Sequence, residues 1–240
     1  MKISKRLEAL YAAVKHGESV ADIGTDHGYV PLMLLRDGIS DKVVMSDISR
    51  GSLLKAVANF SENGIDVSKE SFRIGNGLET LLPGETDDVI IAGLGGNTIT
   101  EILSADIDKT RSFRKFILQP RNSSGELRFF LYTNGYDITE ETLCPEGRFI
   151  CEVITACRSD INKKKAPYEV DDIRWQYPES FIKCDRNYLK ERLSWKFESI
   201  EREIRNLKKS NINMYSRIDK LQENKRYLNG LLKKQEDIKK

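Results

Sequence analysis

The sequence predicts an α/β fold in its longer N-terminal part and a helical coiled coil in its C-terminal part. Apolar strand-like runs alternate with helical segments up to the turn pair Asn134-Gly135, which is typical of a parallel sheet. Two further strand-like runs, 136–143 and 149–157, are joined by a short turn at 144–147 and must therefore pair antiparallel. Beyond Tyr188, apolar residues recur in alternating steps of three and four, which is a heptad pattern.

Short apolar or β-branched runs, each followed by a polar or glycine-rich turn, predict five parallel strands. These lie at about residues 19–23, 41–47, 71–74, 88–92 and 115–119. Helices are predicted at about 4–14, 29–37, 51–63, 98–103 and 123–134. Ser4 is suited to cap the first helix. A parallel sheet that ends in an antiparallel hairpin is typical of Rossmann-like class I methyltransferases, whereas a dehydrogenase sheet is usually parallel throughout.

The C-terminal part is predicted to be a second domain. Residues 159–166 are polar and lysine-rich and are interpreted as a linker, so we expect domains at 1–158 and 159–240. The heptad seam comprises Leu193, Phe197, Ile200, Ile204, Leu207, Asn211, Met214, Ile218, Leu221, Lys225, Leu228 and Leu232. The turn-like stretch 208–213 divides it into two antiparallel helices, each about 30 to 40 Å long. We expect this coiled-coil hairpin to close within a monomer; the alternative is one long helix that forms a dimer.

Composition limits the class of protein. No run approaches the roughly 18 apolar residues of a membrane span, and the N-terminal residues are amphipathic rather than similar to a signal peptide. We therefore expect a cytoplasmic protein without membrane contact. The four cysteines form no C-x-x-C pair and are expected to be free, buried thiols. Two histidines make a histidine-based metal cluster improbable, so no metal is expected.

The formal net charge of +2 conceals an asymmetry along the chain. Residues 1–159 contain 18 Lys and Arg against 23 Asp and Glu, whereas residues 160–240 contain 21 against 14. A basic C-terminal part suggests contact with a polyanion, although a solvated helical surface explains a mixed charge run nearly as often. Candidate phosphate contacts are Lys163 to Lys165 and Lys208 with Lys209.

The turn after the first strand, Asp22-Ile-Gly-Thr-Asp-His-Gly28, is the most informative segment. Gly24 and Gly28 allow the backbone to turn tightly where ligands bind in open α/β sheets. Asp26 and His27 stand where a G-x-G-x-x-G fingerprint has small residues, so a simple dinucleotide site is disfavoured. These two side chains are candidates to bind a methyl donor or to position the base that accepts the methyl group. The alternative is that Asp26 caps the next helix and His27 is half-buried.

Further candidates follow the second and third strands. Asp47, at the end of the second strand, can accept hydrogen bonds from ribose hydroxyls or cap the next helix. Ile48, the next residue, is also predicted to bind the cofactor. Asn76 and Gly77 lie in a Gly-Asn-Gly loop that can bind an adenine edge, although such a sequence is also an ordinary turn.

The ends of the fourth and fifth strands provide candidates for acceptor binding. The segment Gly93-Leu-Gly-Gly96 contains three glycines, which have no side chain to obstruct a ligand. The same sequence also suits a plain turn from strand to helix. In Gln119-Pro-Arg, the guanidinium of Arg121 can hold a phosphate. The predicted residues are Gly93 for the cofactor and Gly95, Gly96, Asn97, Gln119, Pro120 and Arg121 for the substrate.

The segments A-D-I-G-T-D-H-G-Y-V-P, M-S-D-I, G-N-G-L, A-G-L-G-G and Q-P-R together resemble the bacterial tRNA (adenine(22)-N(1))-methyltransferase family. The resemblance covers roughly residues 1–158, and that family also has a helical C-terminal extension. It implies S-adenosylmethionine as cofactor and methyl donor, and N1 of an adenine in the D-arm region of tRNA as acceptor. It implies that Asp22, Gly24 and Gly28 form the methionine side of the cofactor site.

By the same resemblance, Asp47 holds the ribose, Asn76 and Gly77 meet the cofactor adenine, and the loop from Gly93 to Gly96 lines the acceptor pocket. Asp26 would stabilise the positive charge of the product, and His27 would orient it. Two other functions remain open on the residues alone: a small-molecule methyltransferase, and a non-catalytic RNA-binding or scaffold protein.

Overall fold

The structure is a computed structural model that describes residues 3–209 and 214–238. Its strands are β1 (Val20–Ile23), β2 (Val43–Asp47), β3 (Phe72–Ile74), β4 (Asp88–Leu94), β5 (Lys115–Pro120), β6 (Tyr136–Glu146) and β7 (Phe149–Arg158). Its helices are α1 (Lys5–Ala12), α2 (Tyr29–Arg36), α3 (Arg50–Glu62), α4 (Gly96–Ser104), α5 (Ile107–Ser112), α6 (Ser124–Thr133), α7 (Ile173–Gln176), α8 (Arg186–Lys209) and α9 (Tyr215–Ile238). Short 3-10 turns occur at Lys69–Ser71, Gly77–Thr80 and Glu179–Lys183.

The strands form one seven-stranded sheet in the order β3-β2-β1-β4-β5-β7-β6. The pairs from β3 to β5 are parallel, and β7 pairs antiparallel with both β5 and β6. The predicted parallel sheet with an antiparallel hairpin is therefore confirmed. The order reverses between β1 and β4, and at such a switch point the loops after neighbouring strands diverge and open a crevice for ligands.

Several predicted boundaries differ from the structure. The turn placed at 144–147 is shorter, because β6 continues to Glu146 and only Gly147 and Arg148 connect the two strands. Gly147 has a φ of 60°, which suits so tight a turn. The short helix α5 was not predicted.

The sheet is covered on both faces, which explains the nearly continuous apolar runs of its central strands. On one face, Phe116 packs edge-to-face against Phe113 and Tyr136 beneath α4 and α6. On the other face, Leu10 of α1 and Phe60 of α3 join the second cluster. Ser4 caps α1 as predicted, since its Oγ accepts a hydrogen bond from the Leu7 amide.

The segment predicted as a linker packs against the sheet domain. The Ser159 amide donates to the carbonyl of Gly135 at 2.9 Å, and the Lys164 ammonium pairs with Asp137 and lies over the ring of Tyr132. Lys164 is thereby occupied by the protein itself, whereas Lys163 and Lys165 carry no such pair among the described residues.

The long helices α8 and α9 lie antiparallel within one chain, as predicted. Ion pairs join Arg186 near the start of α8 to Glu236 near the end of α9, and Glu203 to Arg217. The interior of this hairpin contains Leu189, Leu193, Ile200, Leu221, Leu228 and Leu231. Leu231 is buried in place of the predicted Leu232, which is only half-buried. Asn211 of the predicted seam and residues 210–213 of the predicted turn lie outside the described residues.

A buried charge network fixes the helical part to the sheet. The guanidinium of Arg128 on α6 contacts the carboxylates of Glu141 and Glu152, and Arg192 of α8 also pairs with Glu152. Arg192 in addition donates to the carbonyl of Ile150 at 2.8 Å. Removing one partner from such a network leaves a buried charge without compensation, so the relative position of α8 and β7 is strongly specified.

Three general features concern the described ranges only. No helix within residues 3–209 or 214–238 is long and apolar enough to cross a membrane. The same residues contain no group of three or more His, Cys, Asp or Glu placed to hold a metal ion. The cysteines are free thiols as expected, but only Cys144 is buried, whereas Cys151, Cys157 and Cys184 are half-buried. Burial raises the pKa of Cys144 to about 12.

Candidate active site

Two cavities open at the carboxyl ends of the parallel strands, on either side of the end of β4. The first has a volume of about 600 Å³. It is lined by Ile23, Gly24, Asp47, Ile48, Gly75, Asn76, Gly77, Leu78, Glu79, Leu94, Thr98, Glu101, Ile102, Ala105, Asp106 and Lys109. The volume lies within the range that small-molecule and cofactor sites occupy.

The turn after β1 forms one wall of the first cavity. Gly24 has a φ of 77°, a conformation that favours glycine, and its amide donates to the Ser46 carbonyl at 2.7 Å. Asp22 is not in the wall; its carboxylate accepts a hydrogen bond from the Thr25 hydroxyl at 2.6 Å. Burial raises the pKa of Asp22 to about 6, and the Thr25 hydroxyl opposes this shift.

Asp47 and Ile48 provide a polar and an apolar contact side by side. One carboxylate oxygen of Asp47 accepts from the Ser49 amide at 2.7 Å, which leaves the other oxygen for a ligand. Asp47 does not cap α3, because Ser49 does so through its own hydroxyl. Ile48 is 72% exposed and lines the cavity, so its side chain offers a surface for a flat ring.

The Gly-Asn-Gly loop closes the far side of the first cavity. Gly77 has a φ of 53°, and a Cβ there would lie 2.9 Å from Ile102, so the position requires glycine. The Glu79 carboxylate accepts a hydrogen bond from the Asn76 amide and fixes the loop. An exposed carboxylate beside an apolar slot with glycine-rich walls fits the ribose and adenine of a nucleoside-containing cofactor.

The second cavity, of about 660 Å³, lies between the sheet and the start of α8. It is lined by Arg6, Gly93, Gln119, Pro120, Arg121, Asn122, Ser123, Ser124, Glu146, Phe149, Ile150, Cys151, Glu152, Gln176, Tyr177, Arg192 and Trp195. Arginines and aromatic rings thus surround the opening, which suits a base attached to a phosphate backbone.

The last two residues of β4 separate the two cavities, since Leu94 lines the first and Gly93 lines the second. Gln119 is buried and supports this end of β4: its Oε1 accepts from the Gly93 amide at 3.1 Å, and its Nε2 donates to the carbonyl of Pro120. Arg121 is exposed, with its guanidinium 4.0 Å from where a Cβ on Gly93 would lie. Gly93 has a φ of 77°.

Several predicted glycines serve the packing of the fold. A Cβ on Gly96 would lie 2.4 Å from the Ser123 carbonyl oxygen, and one on Gly28 would lie 3.1 Å from Ala56 and Phe60. Gly95 caps α4 close to the Asn122 side chain. Asn97 is exposed on α4, and none of these positions lines either cavity.

Asp26 and His27 lie on the outer side of the first turn and line neither cavity. The Asp26 side chain is 57% exposed, pairs with Lys55 at 2.8 Å and lies 3.3 Å from the His27 Nε2. The Lys55 ammonium keeps the pKa of Asp26 below its usual value. His27 stacks on Tyr29 with 5.1 Å between ring centroids.

Sequence reasoning missed the part of the second cavity that comes from the C-terminal half. Phe149, Arg192 and Trp195 are distant in sequence from the motifs. One signal was present: Trp195 lies outside the heptad seam, where a large aromatic residue has no partner in a coiled coil.

Comparison with known proteins identifies the family. A family model described as a methyltransferase domain matches residues 3–154. The chain is 34% identical over 160 residues to the tRNA (adenine(22)-N(1))-methyltransferase of Bacillus subtilis, a match that covers 67% of each protein. The chain belongs to the tRNA (adenine(22)-N(1))-methyltransferase family.

Solved structures agree with this family membership over almost the whole chain. The crystal structure of the B. subtilis m1A22 tRNA methyltransferase TrmK superposes with a TM-score of 0.76 at 26% identity and covers 98% of both chains. TrmK of M. capricolum, in complex with the cofactor product S-adenosylhomocysteine, has the same fold, with a TM-score of 0.71, 24% identity and coverage of 98% of this chain and 99% of that one. The expected fold and the expected cofactor, S-adenosylmethionine, are thus those of the family.

Proposed function

We propose that this chain transfers a methyl group from S-adenosylmethionine to N1 of adenine 22 in tRNA. The observation that carries the proposal is the position of two cavities on opposite sides of the Gly93-Leu94 backbone, at the switch point of the sheet. A donor in the first cavity and a base in the second meet where the dividing residue has no side chain. Family membership supports the donor and the acceptor.

The reaction requires alignment more than acid–base catalysis. S-adenosylmethionine, when bound, supplies an electrophilic methyl group on a sulfonium. N1 of neutral adenine has a free lone pair, so orientation of the two reactants provides most of what the protein must contribute. Asp47 holds the ribose, the Ile48 side chain contacts the adenine, and Gln119 keeps the Gly93 backbone in a fixed position.

For Asp26 and His27, which line neither cavity, we propose an electrostatic role that acts on the site from the outer side of the first turn. Methylation leaves a positive charge on the base, which a carboxylate stabilises. Because Asp26 is exposed and paired with Lys55, its contribution is that of a charge in a solvated setting, on the order of 1 kcal/mol. We expect Asp26→Ala to keep cofactor affinity and to lower turnover; unchanged turnover would contradict the role.

The acceptor adenine presents N1 on its pairing edge, so it has to leave its stack to enter the second cavity. The helical hairpin forms one side of that cavity through Arg192 and Trp195. We propose that the basic residues of this part, among them Lys208 and Lys209, contact tRNA phosphates and that the protein acts as a monomer, because the seam closes between α8 and α9 of one chain.

The decisive experiment is a methylation assay with labelled S-adenosylmethionine and two tRNA transcripts that differ only in having adenine or guanine at position 22. We expect methyl transfer to the first alone, with a primer-extension stop at that nucleotide. Equal transfer to both transcripts, or transfer to a free nucleoside only, would contradict the proposal and favour a different acceptor.

A matched pair of variants tests the cofactor site separately. Asp47→Ala removes the proposed ribose ligand, whereas Asp41→Ala removes an exposed carboxylate near the start of the same strand. We expect the first to weaken S-adenosylhomocysteine binding about tenfold or more in calorimetry, since a charge-assisted hydrogen bond is lost, and the second to leave it unchanged. Equal affinity of the two variants would remove Asp47 from the site.

A further inference from the structure

Two large aromatic side chains remain exposed at the mouth of the second cavity. Phe149, the first residue of β7, is 54% exposed, and Trp195 on α8 is 41% exposed. Their ring centroids are 5.9 Å apart with an interplanar angle of 85°, an edge-to-face pair. The two residues come from different parts of the fold and meet only because α8 packs on the hairpin of the sheet.

Neither ring belongs to a hydrophobic cluster of the described residues. The interior of the helical hairpin is built from Leu193, Ile200 and their partners, and Trp195 points away from it. The other tryptophan, Trp175, is buried, and its indole N–H donates to the Glu169 carbonyl. An exposed aromatic pair beside a cavity therefore indicates a contact surface.

Positively charged side chains that can bind a phosphate lie in the same region as the Phe149–Trp195 pair. The Arg148 guanidinium lies 5.0 Å from the centroid of the Phe149 ring, and Arg121 is exposed in the same cavity wall. Neither arginine has an ion pair among the described residues, whereas Arg6 and Arg192 in this wall are paired with Glu146 and Glu152. The unpaired guanidinium of Arg148 beside the rings and that of Arg121 near Gly93 complement the phosphates of a nucleotide whose base contacts the rings.

We propose that Phe149 and Trp195 bind an unstacked base adjacent to the target adenine in the tRNA, with Arg148 and Arg121 against the neighbouring phosphates. This inference rests on the proposed function. The cavity extends from Gly93, next to the donor site, to the aromatic pair at its mouth. When the target base occupies the inner end, the next nucleotide of the chain lies at the mouth, where its base stacks on one ring and contacts the edge of the other.

Arg192 is the positioning residue of this site. Its guanidinium pairs with Glu152 and donates to the Ile150 carbonyl, one residue after Phe149 in β7. Trp195 follows it by one helical turn on α8. The pair of rings is therefore held together by the same contacts that attach α8 to the sheet.

Binding measurements test the proposal without relying on activity. In a Trp175→Phe background, Trp195 is the only indole in the protein, and its fluorescence reports stacking directly. We expect quenching on addition of intact tRNA. Trp195→Ala should weaken binding of intact tRNA roughly 5- to 100-fold, the usual effect of removing one stacking ring, and Trp195→Phe should restore most of the affinity.

Abasic tRNAs identify the stacked base. The full-length protein and Trp195→Ala are compared on intact tRNA and on tRNAs that lack the base on the 5′ side of position 22, on the 3′ side, or at position 22 itself. We expect the penalty of Trp195→Ala to fall below twofold when one of the two flanking bases is absent. A penalty that disappears only with the abasic target would overturn the assignment to a neighbour, and one that is the same on every tRNA would overturn stacking. Methylation of intact tRNA, measured in parallel, tests the proposed function independently of these affinities.

Discussion

Asp22 provides the sharpest test of the site's electrostatics. Its carboxylate lies half-buried behind the first cavity, with one hydrogen bond from the Thr25 hydroxyl at 2.6 Å. Burial raises its pKa from 3.8 to about 6. Ionisation of Asp22 therefore lowers the free energy of unfolding of the cofactor-free protein. Asp22→Asn removes this destabilisation while keeping the size of the side chain and an acceptor for the Thr25 hydroxyl.

The sign and size of the effect follow from linkage. Between the unfolded pKa of 3.8 and the folded pKa of about 6, the folded state binds a proton that the unfolded state has lost, so stability falls as pH rises through this window. The full shift corresponds to about 3 kcal/mol, and partial exposure lowers this to about 1–3 kcal/mol. The free energy of unfolding of the variant, relative to the parent, should rise by that amount from pH 4 to pH 8.

Urea denaturation of the parent and of Asp22→Asn at pH 4 and at pH 8 measures this change. Any effect of the substitution on packing is the same at both pH values and therefore cancels when the two stability differences are subtracted. Asp87→Asn is the control with the opposite sign. Hydrogen bonds from the Ser19 amide and hydroxyl hold the pKa of Asp87 below its usual value, so its ionised form stabilises the fold and its substitution should cost more at pH 8 than at pH 4. A pH-independent difference for Asp22→Asn would refute the reasoning.

The same group should couple cofactor binding to pH. The donor carries an ammonium on its methionine side, and we propose that the Asp22 carboxylate attracts this cation from behind the cavity wall. Protonation below about pH 6 in the free protein removes that attraction, so S-adenosylhomocysteine affinity should fall as pH drops through 6. The Asp22→Asn variant should bind more weakly at pH 8 and show a flat profile in calorimetry, and an equally steep profile would exclude Asp22 as its origin.

Two further predictions concern stability alone. Lys115→Met removes the buried ammonium shared by Glu18 and Asp88 and leaves these carboxylates only the half-exposed guanidinium of Arg114. It should lower the unfolding free energy by about 1–3 kcal/mol in urea denaturation, and an unchanged stability would mean that Arg114 and water replace the ammonium. Gly96→Ala places a Cβ 2.4 Å from the backbone that follows β5 and should lower the melting temperature. The control Gly230→Ala has open space around it inside α9 and should raise the melting temperature. An unchanged melting temperature for Gly96→Ala would show that the backbone after β5 moves to make room for the Cβ.

The sequence predicted the sheet well because each central strand carries its own pattern. A buried parallel strand is a short apolar run closed by a turn, as in Asp88–Leu94, and that signal is local. That Gly24, Asp47, Ile48, Asn76 and Gly77 meet in one cavity is predictable for the same reason, since they lie at or just after the ends of strands that must meet at one edge of the sheet. Their binding of a cofactor stays a prediction.

Contacts between distant segments carry no such local pattern. Gly96 and Gly28 were assigned to ligands, yet a close approach of backbone or side chains accounts for the missing Cβ at both positions. The lysine-rich stretch 159–166 resembles a linker because its polarity is visible, while the partners that hold it, Gly135 and Asp137, are not. A glycine can serve either ligand binding or close packing, and a charged stretch can be either a linker or a packed segment. Only the fold distinguishes between these possibilities.

Helix α8 forms part of the wall of the second cavity, and this changes how the role of the C-terminal helices should be tested. Deleting 160–240 would remove Arg192 and Trp195 and uncover Leu143 and Ile150, which pack in the same cluster as Leu193 of α8. The deleted protein would lose tRNA affinity whether or not the helices contact RNA, because the sheet domain itself would change. Charge substitutions at exposed lysines such as Lys208 and Lys209 leave that cluster intact. If the hairpin contacts phosphates, these substitutions reduce the salt dependence of tRNA binding and leave cofactor affinity constant.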